Sequence, residues 1–260
     1  MNRKLIVFDI DGTLLNSQKE IAASTFESIK ALKAAGHHLA IATGRNYDLA
    51  KEVVKAVAFD HYICCNGSAA FMNHELVHSH PLSKEGLARL VKVADQAGLD
   101  LIFQGLYGMR RHNELSGDKL VSAMTSFGSG EPDYDVDFYQ REDVYQALTF
   151  HSVEQEDIYA DFTEFDFVRW HEVGVDVIPL GGSKAKTIAI LADKLGVSLA
   201  DTIAFGDGDN DREMLRLVGH GVAMGNASQA VKACADEVTA SHDEDGIYQS
   251  LVKSGLIAKL

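Results

Sequence analysis

The first strand-like segment of the chain ends in acidic residues, and this limits the folds open to it. Four apolar residues at 5–8 predict a buried strand, and Asp9 and Asp11 follow at a spacing of two. On a continuing strand that spacing would put both carboxylates on the same side. Burying a carboxylate is costly unless it is paired or bound to a cation. The chain therefore needs a sheet edge at which a counter-charge can meet this strand end.

Strand-like and helix-like segments alternate through much of the chain. Apolar spacing predicts helices over 17–35, 47–57 and 184–195, and a further helix is predicted at about 210–218. Short apolar runs within HLAIATGR, YICC and TIAF predict strands, and Asn66-Gly67 predicts a tight turn before the strand AAFM. This alternation indicates an α/β protein with a Rossmann-like, doubly wound parallel sheet. In such sheets the reactive loops lie at the carboxyl ends of the strands.

Two prolines, Pro81 and Pro179, mark the ends of a segment with a different pattern. The segment between them is roughly a hundred residues long, which is enough for a domain. Its mixed pattern predicts helices over 83–97 and near 154–163, with strands between and after them. We therefore predict a discontinuous core domain, 1–81 and 180–260, with an inserted α/β cap domain at 82–179.

Composition excludes several classes of partner. The 260 residues carry a formal net charge of −14, which argues against nucleic acid and anionic membrane surfaces as partners. No apolar run approaches the length of a transmembrane helix, and the N-terminal residues lack the apolar segment of a signal peptide. Three cysteines, two of them adjacent, predict buried thiols in a reducing cytoplasm rather than disulfides or a zinc site.

Four polar motifs follow predicted core strands, in a fixed order. They are Asp9-Ile-Asp11-Gly-Thr13, Thr43-Gly-Arg45, Ser183-Lys184 and the run GDGDND at 206–211. Carboxylates that converge on one sheet edge repel each other without a cation, and hard oxygen ligands suit Mg2+. A lysine, a hydroxyl and a helix N-terminus add positive potential for an anion. Together the motifs indicate phosphoryl transfer.

Each motif has a simpler explanation when it is taken alone. Asp-x-Asp-Gly is often a turn, Gly after a strand is common, and Ser183 could be a helix N-cap beside a surface lysine. The 206–211 run could be a solvated loop, but the glycine and glutamate spacing of an EF-hand calcium loop is absent. The functional interpretation rests on the motifs occurring together and in order.

In the order and spacing of these motifs the chain resembles the haloacid dehalogenase-like phosphatase superfamily. The large insertion between Thr43 and Lys184 is similar to that of the Cof-type sugar-phosphatase branch, which carries a C2B cap. NGS at 66–68, FGDGDND at 205–211, VAMGNA at 222–227 and DEDGI at 243–247 also resemble that branch. Ala185 departs from it, since the family often has glycine after the lysine.

The resemblance implies a role for each motif residue. Asp9 would be the nucleophile that forms an aspartyl-phosphate, and Asp11 the general acid and then the base. The other implied roles are Mg2+ ligation by Asp9, the Asp11 carbonyl and Asp207; phosphate binding by Thr43, Gly44 and Lys184; substrate contact by Arg45 and Asn66; and orientation of the lysine and the metal-bound waters by Asn210 and Asp211. The cap would set the substrate, and Arg110, Arg111 and His112 are either an anion-binding group or an ordinary solvated loop.

The function implied is a Mg2+-dependent phosphomonoester hydrolase for small phosphorylated metabolites, sugar phosphates above all. A phosphomutase or phosphotransferase of the same superfamily would use the same motifs. A non-catalytic module that binds a phosphate ligand is a third possibility, but it should have lost Asp9 or Asp11, and both remain. We expect a monomer or a weak homo-oligomer.

Overall fold

The structure is a computed structural model that describes residues 3–126, 128 and 130–259. Contacts divide the chain into two compact units. The core unit comprises Met1–Arg45, Leu49–His78 and Ser183–Leu260, and the inserted unit comprises Asn46–Asp48 and Ser79–Gly182. The sequence boundaries, after 81 and after 179, lie a few residues away from these junctions. Residues 1, 2, 127, 129 and 260 of the predicted domains lie outside the described residues.

Strands and helices alternate along the two core segments, as the sequence predicts. The strands are β1 (Leu5–Phe8), β2 (His38–Ala42), β3 (His61–Cys64), β4 (Ala69–Met72), β5 (Glu75–Ser79), β6 (Leu101–Gly105), β7 (Gly108–Arg111), β8 (Gln146–Phe150), β9 (Phe165–Arg169), β10 (Gly174–Pro179), β11 (Thr202–Gly206), β12 (His220–Ala223) and β13 (Glu237–Val238). The α-helices are α1 (Ala23–Ala34), α2 (Tyr47–Val57), α3 (Lys84–Ala97), α4 (Asp118–Ser126), α5 (Phe138–Arg141), α6 (Lys184–Leu195), α7 (Arg212–Leu217), α8 (Gln229–Lys232) and α9 (Gly246–Lys253).

The core unit is built on a sheet of eight strands among the described residues, in the order β13-β12-β11-β1-β2-β3-β4-β5. From β13 to β3 every neighbouring pair is parallel, and β1 lies between β2 and β11 with Leu5 opposite His38 and Thr202. β4 runs antiparallel to β3, because the turn at 65–67 folds the chain straight back. The predicted α/β class is confirmed, and the sheet is mixed rather than wholly parallel.

Helix boundaries follow local capping chemistry. Ser183 caps α6 by accepting a hydrogen bond from the Lys186 N–H, and Gly196 ends the helix in the left-handed region. The helix predicted over 17–35 begins only at Ala23. The reason is a turn in which the Asn16 side chain accepts from the N–H groups of residues 18 and 20, so the chain cannot yet enter a helix.

Two other predicted helices are shorter than expected. The segment predicted as a helix near 154–163 forms a 3-10 helix at Val153–Tyr159. The helix predicted at about 210–218 is a 3-10 turn, Asp209–Asp211, followed by α7. Side chains that accept from nearby backbone N–H groups favour such turns over a regular α-helix: Gln155 accepts from the Ser152 N–H, and Asp211 accepts from the N–H groups of residues 207 and 208.

The inserted unit contains an antiparallel sheet in the order β7-β6-β8-β10-β9. One apolar cluster joins the sheet to α3 through Leu87, Leu90, Phe103 and Val177. A smaller cluster contains Ile102 and Leu148 of the sheet with residues of α4.

No helix among the described residues is both long and apolar enough to cross a membrane.

Candidate active site

Parallel strands bring the polar motifs of the core unit to one edge of its sheet. In the sheet β1 lies between β11 and β2. β1 ends immediately before Asp9, β2 before Thr43 and β11 before Asp207. β1 ends at Phe8, before either aspartate, so strand alternation does not fix the Asp9 and Asp11 side chains as the sequence suggested. What places them is the turn after β1, where Gly12 has a φ of 75° and lies against the Asp207 carboxylate. A side chain at Gly12 would collide with that carboxylate.

The centre of the site is a buried lysine held between two carboxylates. Lys184 Nζ lies 2.6 Å from Asp9 Oδ1 and 2.7 Å from Asp211 Oδ1, and the lysine is 1% exposed. Burial opposes its charge, but Asp211 and Asp9 outweigh that effect and raise the pKa of Lys184. Lys184 is therefore a fixed positive charge, not the surface lysine that Ser183-Lys184 alone would suggest.

The start of α6 is pressed against the turn between β3 and β4, and this places Lys184. Gly67 has a φ of 101°, and a Cβ there would lie 2.3 Å from the Ser183 carbonyl oxygen. The Thr187 hydroxyl donates to the Gly67 carbonyl at 2.6 Å. Only glycine allows this close approach, which sets the first turn of α6, with its lysine, beside the strand ends.

One carboxylate oxygen from each of Asp9, Asp207 and Asp211 lies within 4.8 Å of the other two. Burial, followed by the nearby Asp211 carboxylate, raises the pKa of Asp207 to about 6. Burial is also the main reason that the pKa of Asp9 is raised, although Lys184 opposes this. Clustered carboxylates with raised pKa values favour a bound cation, and an all-oxygen donor set fits Mg2+. The residues present therefore fit the metal that the resemblance implies.

Three hydrogen bonds occupy the Asp211 carboxylate and leave one of its about four acceptor positions. Its Oδ1 accepts from Lys184, and its Oδ2 accepts from the backbone N–H groups of Asp207 and Gly208. The side chain is fully buried. Asp211 thus anchors both the lysine and the loop that carries Asp207.

Asp11 lies apart from the acidic cluster and is paired with cations. Arg45 donates two hydrogen bonds to its carboxylate, from Nε to Oδ2 at 2.8 Å and from Nη2 to Oδ1 at 2.7 Å. Lys19 Nζ lies 3.3 Å from Oδ1. Burial would raise the pKa of Asp11, but Arg45 and Lys19 outweigh it and lower the pKa. Arg45, predicted to contact substrate, is thus engaged with the predicted general acid.

The remaining predicted residues lie around the same sheet edge. Thr43 is buried, and its Oγ1 accepts from the Arg45 N–H at 3.1 Å. Asn66 is 4% exposed, has a left-handed backbone, and accepts a 2.9 Å hydrogen bond from Asn210 Nδ2. A Cβ at Gly44 would lie 3.1 Å from the Asn66 amide, so Gly44 and Asn66 are neighbours. The fold thus brings the predicted site residues of the core unit close to the strand ends.

Two residues of the site were not predicted by the sequence reasoning. Asn226 Nδ2 donates to Asp207 Oδ2 at 3.1 Å and to the Gly12 carbonyl at 2.9 Å. The backbone of Lys19 is in the left-handed region, and its Nζ lies 3.3 Å from Asp11 Oδ1. Asn226 belongs to the motif VAMGNA, for which the resemblance implies no residue role, and nothing in the local sequence singles out Lys19.

In the inserted unit, the three candidate anion-binding residues differ. Arg111 donates to the backbone carbonyls of Pro132 and Asn113, and His112 is buried with its Nε2 3.3 Å from Asp95. The side chains of Arg111 and His112 therefore hold segments of the inserted unit to each other. Arg110 lines a cavity of about 400 Å³, whose other polar lining residues include Tyr107, Glu142, Asp143 and Tyr145. Arg110 also donates to the Met109 carbonyl at 2.7 Å, but of the three it is the residue that lines this cavity and so the candidate for ligand contact.

Comparison with known proteins gives a consistent result over the full length. The family model described as haloacid dehalogenase-like hydrolase matches residues 6–251. The chain is 38% identical to YkrA of Bacillus subtilis over 257 residues, covering 99% of this chain and 100% of that protein. It is 31% identical to the 5-amino-6-(5-phospho-D-ribitylamino)uracil phosphatase YitU of the same organism, covering 95% of this chain and 96% of YitU. The solved structure of the subclass IIB sugar phosphatase BT4131 matches with a TM-score of 0.86 at 31% identity, covering 98% of this chain and 100% of that one.

Proposed function

Because this chain belongs to the haloacid dehalogenase-like hydrolase family, we propose that it hydrolyses small phosphomonoesters through an aspartyl-phosphate on Asp9. The observation that carries the proposal is the bridge of Lys184 between Asp9 and Asp211, beside the Asp207 carboxylate. It puts a nucleophilic oxygen next to a fixed positive charge that can hold phosphoryl oxygens. Positioning and charge neutralisation are the main contributions to phosphoryl-transfer catalysis.

In the first half-reaction an Asp9 oxygen attacks phosphorus, and the bond from phosphorus to the ester oxygen breaks. Lys184 and the Thr43 hydroxyl would hold the phosphoryl oxygens during this step. The departing alkoxide takes a proton from the carboxyl group of Asp11. Asp11 must be protonated for this, and Arg45 holds it ionised in the structure. Arg45 must therefore release Asp11, which frees its guanidinium for the substrate.

In the second half-reaction Asp11, now a carboxylate, takes a proton from water. The water oxygen attacks phosphorus, the bond to Asp9 breaks, and inorganic phosphate leaves. Mg2+ would be held by the carboxylates of Asp9 and Asp207 with the Asp11 carbonyl, where it would neutralise charge on these groups and on the phosphate. Asp211 would keep Lys184 and the 207–208 backbone in place through both steps.

Sugar phosphates and related small metabolites are the substrate class we propose. The support is that relatives with similar full-length chains are named for such substrates, a ribitylaminouracil phosphate in one and sugar phosphates in another. A third, 28% identical over 96% of this chain, is the pyridoxal phosphate phosphatase YbhA of Escherichia coli. We propose that residues 82–179 act as the cap that selects among them, with Arg110 as its candidate contact. The proposed partners are thus small molecules. We still predict a monomer or weak homo-oligomer and a cytoplasmic location.

A panel of phosphorylated metabolites, assayed for phosphate release with Mg2+ and with EDTA, tests the proposal. We expect turnover of sugar phosphates with Mg2+ and its loss with EDTA. Asp9→Asn protein, prepared in parallel, controls for contaminating phosphatases. Undiminished turnover in excess chelator would refute the metal assignment, and equal turnover by Asp9→Asn would refute the nucleophile.

A further inference from the structure

The motif VAMGNA and the segment before α9 meet at the candidate site, although the mechanism above uses neither. Asn226 lies in the loop after β12, whose neighbour β11 leads into Asp207. Its amide nitrogen donates to Asp207 Oδ2 at 3.1 Å and to the Gly12 carbonyl at 2.9 Å. From these contacts we propose that Asn226 is a positioning residue that orients Asp207 for the metal. This inference rests on the proposed function.

Both oxygens of the Asp207 carboxylate are held by side chains from other loops. Thr13 Oγ1 donates to Oδ1 at 3.0 Å, and Asn226 donates to Oδ2. Each oxygen keeps further lone pairs for a cation, since a carboxylate has about four acceptor positions. The two donors therefore fix the rotation of the carboxylate without using up its capacity to bind a metal. Hydrogen-bonded partners of this kind commonly orient ligating carboxylates.

The direction of the Asn226 amide is itself fixed. Its Oδ1 accepts from the backbone N–H of His242 at 3.1 Å, so its nitrogen must face Gly12 and Asp207. The segment with His242 is tied in turn to the loop after β1, where Ser17 donates to Asp243 at 2.6 Å. The Asn226 amide thus accepts from a backbone N–H on one side and donates to a carboxylate and a carbonyl on the other. Aspartate here would put an oxygen against two oxygens.

The exposure of Asn226 makes its role separable from stability. The side chain lies at the surface, so its loss leaves no buried polar group unpaired. A control lies two residues away, since the hydroxyl of exposed Ser228 accepts from the Val231 N–H of α8. Ser228→Ala should weaken the helix cap and leave Asp207 untouched.

The test is calorimetric titration of Mg2+ into the folded proteins, with thermal melting and steady-state kinetics alongside. We expect Asn226→Ala to bind Mg2+ about tenfold more weakly, in the range seen when such outer contacts are lost, whereas Ser228→Ala binds like wild type. Substrate KM at saturating Mg2+ should not change, because Asn226 is not proposed to touch substrate, and saturating Mg2+ should recover most of kcat.

Ser17→Ala separates positioning from loop anchoring, because it removes the hydroxyl that ties Asp243 to the loop after β1 and keeps the Asn226 donor to Asp207. We expect it to bind Mg2+ like wild type. Unchanged affinity in Asn226→Ala overturns the inference. So does an equal weakening in Ser17→Ala, because anchoring of the segment that carries His242 then accounts for the effect. A wild-type protein that binds no Mg2+ overturns the proposed metal assignment as well.

Discussion

In the core unit the deeply buried polar groups include a lysine and two aspartates, Lys184, Asp9 and Asp211. In the inserted unit, over its described residues, no carboxylate, lysine or arginine is buried to that degree; the buried polar groups are amides, hydroxyls and two imidazoles among packed aromatic rings. Buried ion pairs seldom stabilise a fold more than apolar residues of similar volume would. The contrast therefore indicates that the core unit keeps its charges for chemistry, whereas the inserted unit is packed for shape and stability.

The largest expected effect is on turnover, from a change that hardly alters the fold. Asp9→Asn keeps the shape of the side chain but removes the attacking oxygen charge, and Lys184 stays paired with Asp211. We expect kcat to fall by more than about a thousandfold, as when other covalent nucleophiles are removed, with a melting temperature close to wild type. Phosphate release and thermal melting check this against exposed Asp209→Asn. Substantial turnover in rigorously purified Asp9→Asn would break the contrast.

Removing the buried lysine should affect both activity and stability. Lys184→Met leaves Asp9 and Asp211 without their shared cation, and breaking a buried pair costs about 3–5 kcal/mol. Lys186→Met, two residues along the same helix and exposed, is the matched control. Chemical unfolding gives the free-energy difference and phosphate release gives kcat. If Lys184→Met were as stable as Lys186→Met, the charge cluster would not depend on Lys184.

A change in the inserted unit should affect stability and not the chemical step. Tyr159 and Thr149 share a buried hydrogen bond of 2.7 Å, so Tyr159→Phe should destabilise by about 1–2 kcal/mol. Exposed Tyr134→Phe serves as the control. We expect kcat to be unchanged in both. A fall in kcat for Tyr159→Phe at a temperature where it is fully folded would show that the two units do not divide their tasks in this way.

The effect that should be absent at neutral pH and appear only below pH 6.5 is a pH dependence of stability from His151. Burial, reinforced by the positive charge of Arg169, lowers the pKa of His151 from 6.5 to about 4. Between those values the unfolded state binds the extra proton and the folded state does not, so this stability is full above pH 6.5 and falls as the pH drops toward 4. His151→Gln should flatten the decrease, and melting curves across this range measure it. Parallel curves for the two proteins would show that His151 stays solvated.

The sequence by itself predicted the class of fold and most of the residues that lie at the candidate site. Short apolar runs just before Asp9, Thr43 and Asp207 predicted strands whose polar ends lie at one edge of the sheet, because the reactive loops of such sheets follow the carboxyl ends of the strands. Gly196 and Ser183 set the ends of α6 through local capping alone. The first helix was mispredicted because the Asn16 turn depends on side-chain bonds that apolar spacing does not reveal.

Only the tertiary structure decided which charges meet. Lys184 is separated from Asp9 by 175 positions and Asn226 from Asp207 by 19, and both pairs form because separate loops end at one sheet edge. The pairing of Arg45 with Asp11, and the use of Asp211 as an anchor, likewise depend on rotamers and backbone donors fixed by packing. Sequence spacing determines which residues reach the edge, but hydrogen-bond directions within a few ångströms determine what each residue does there.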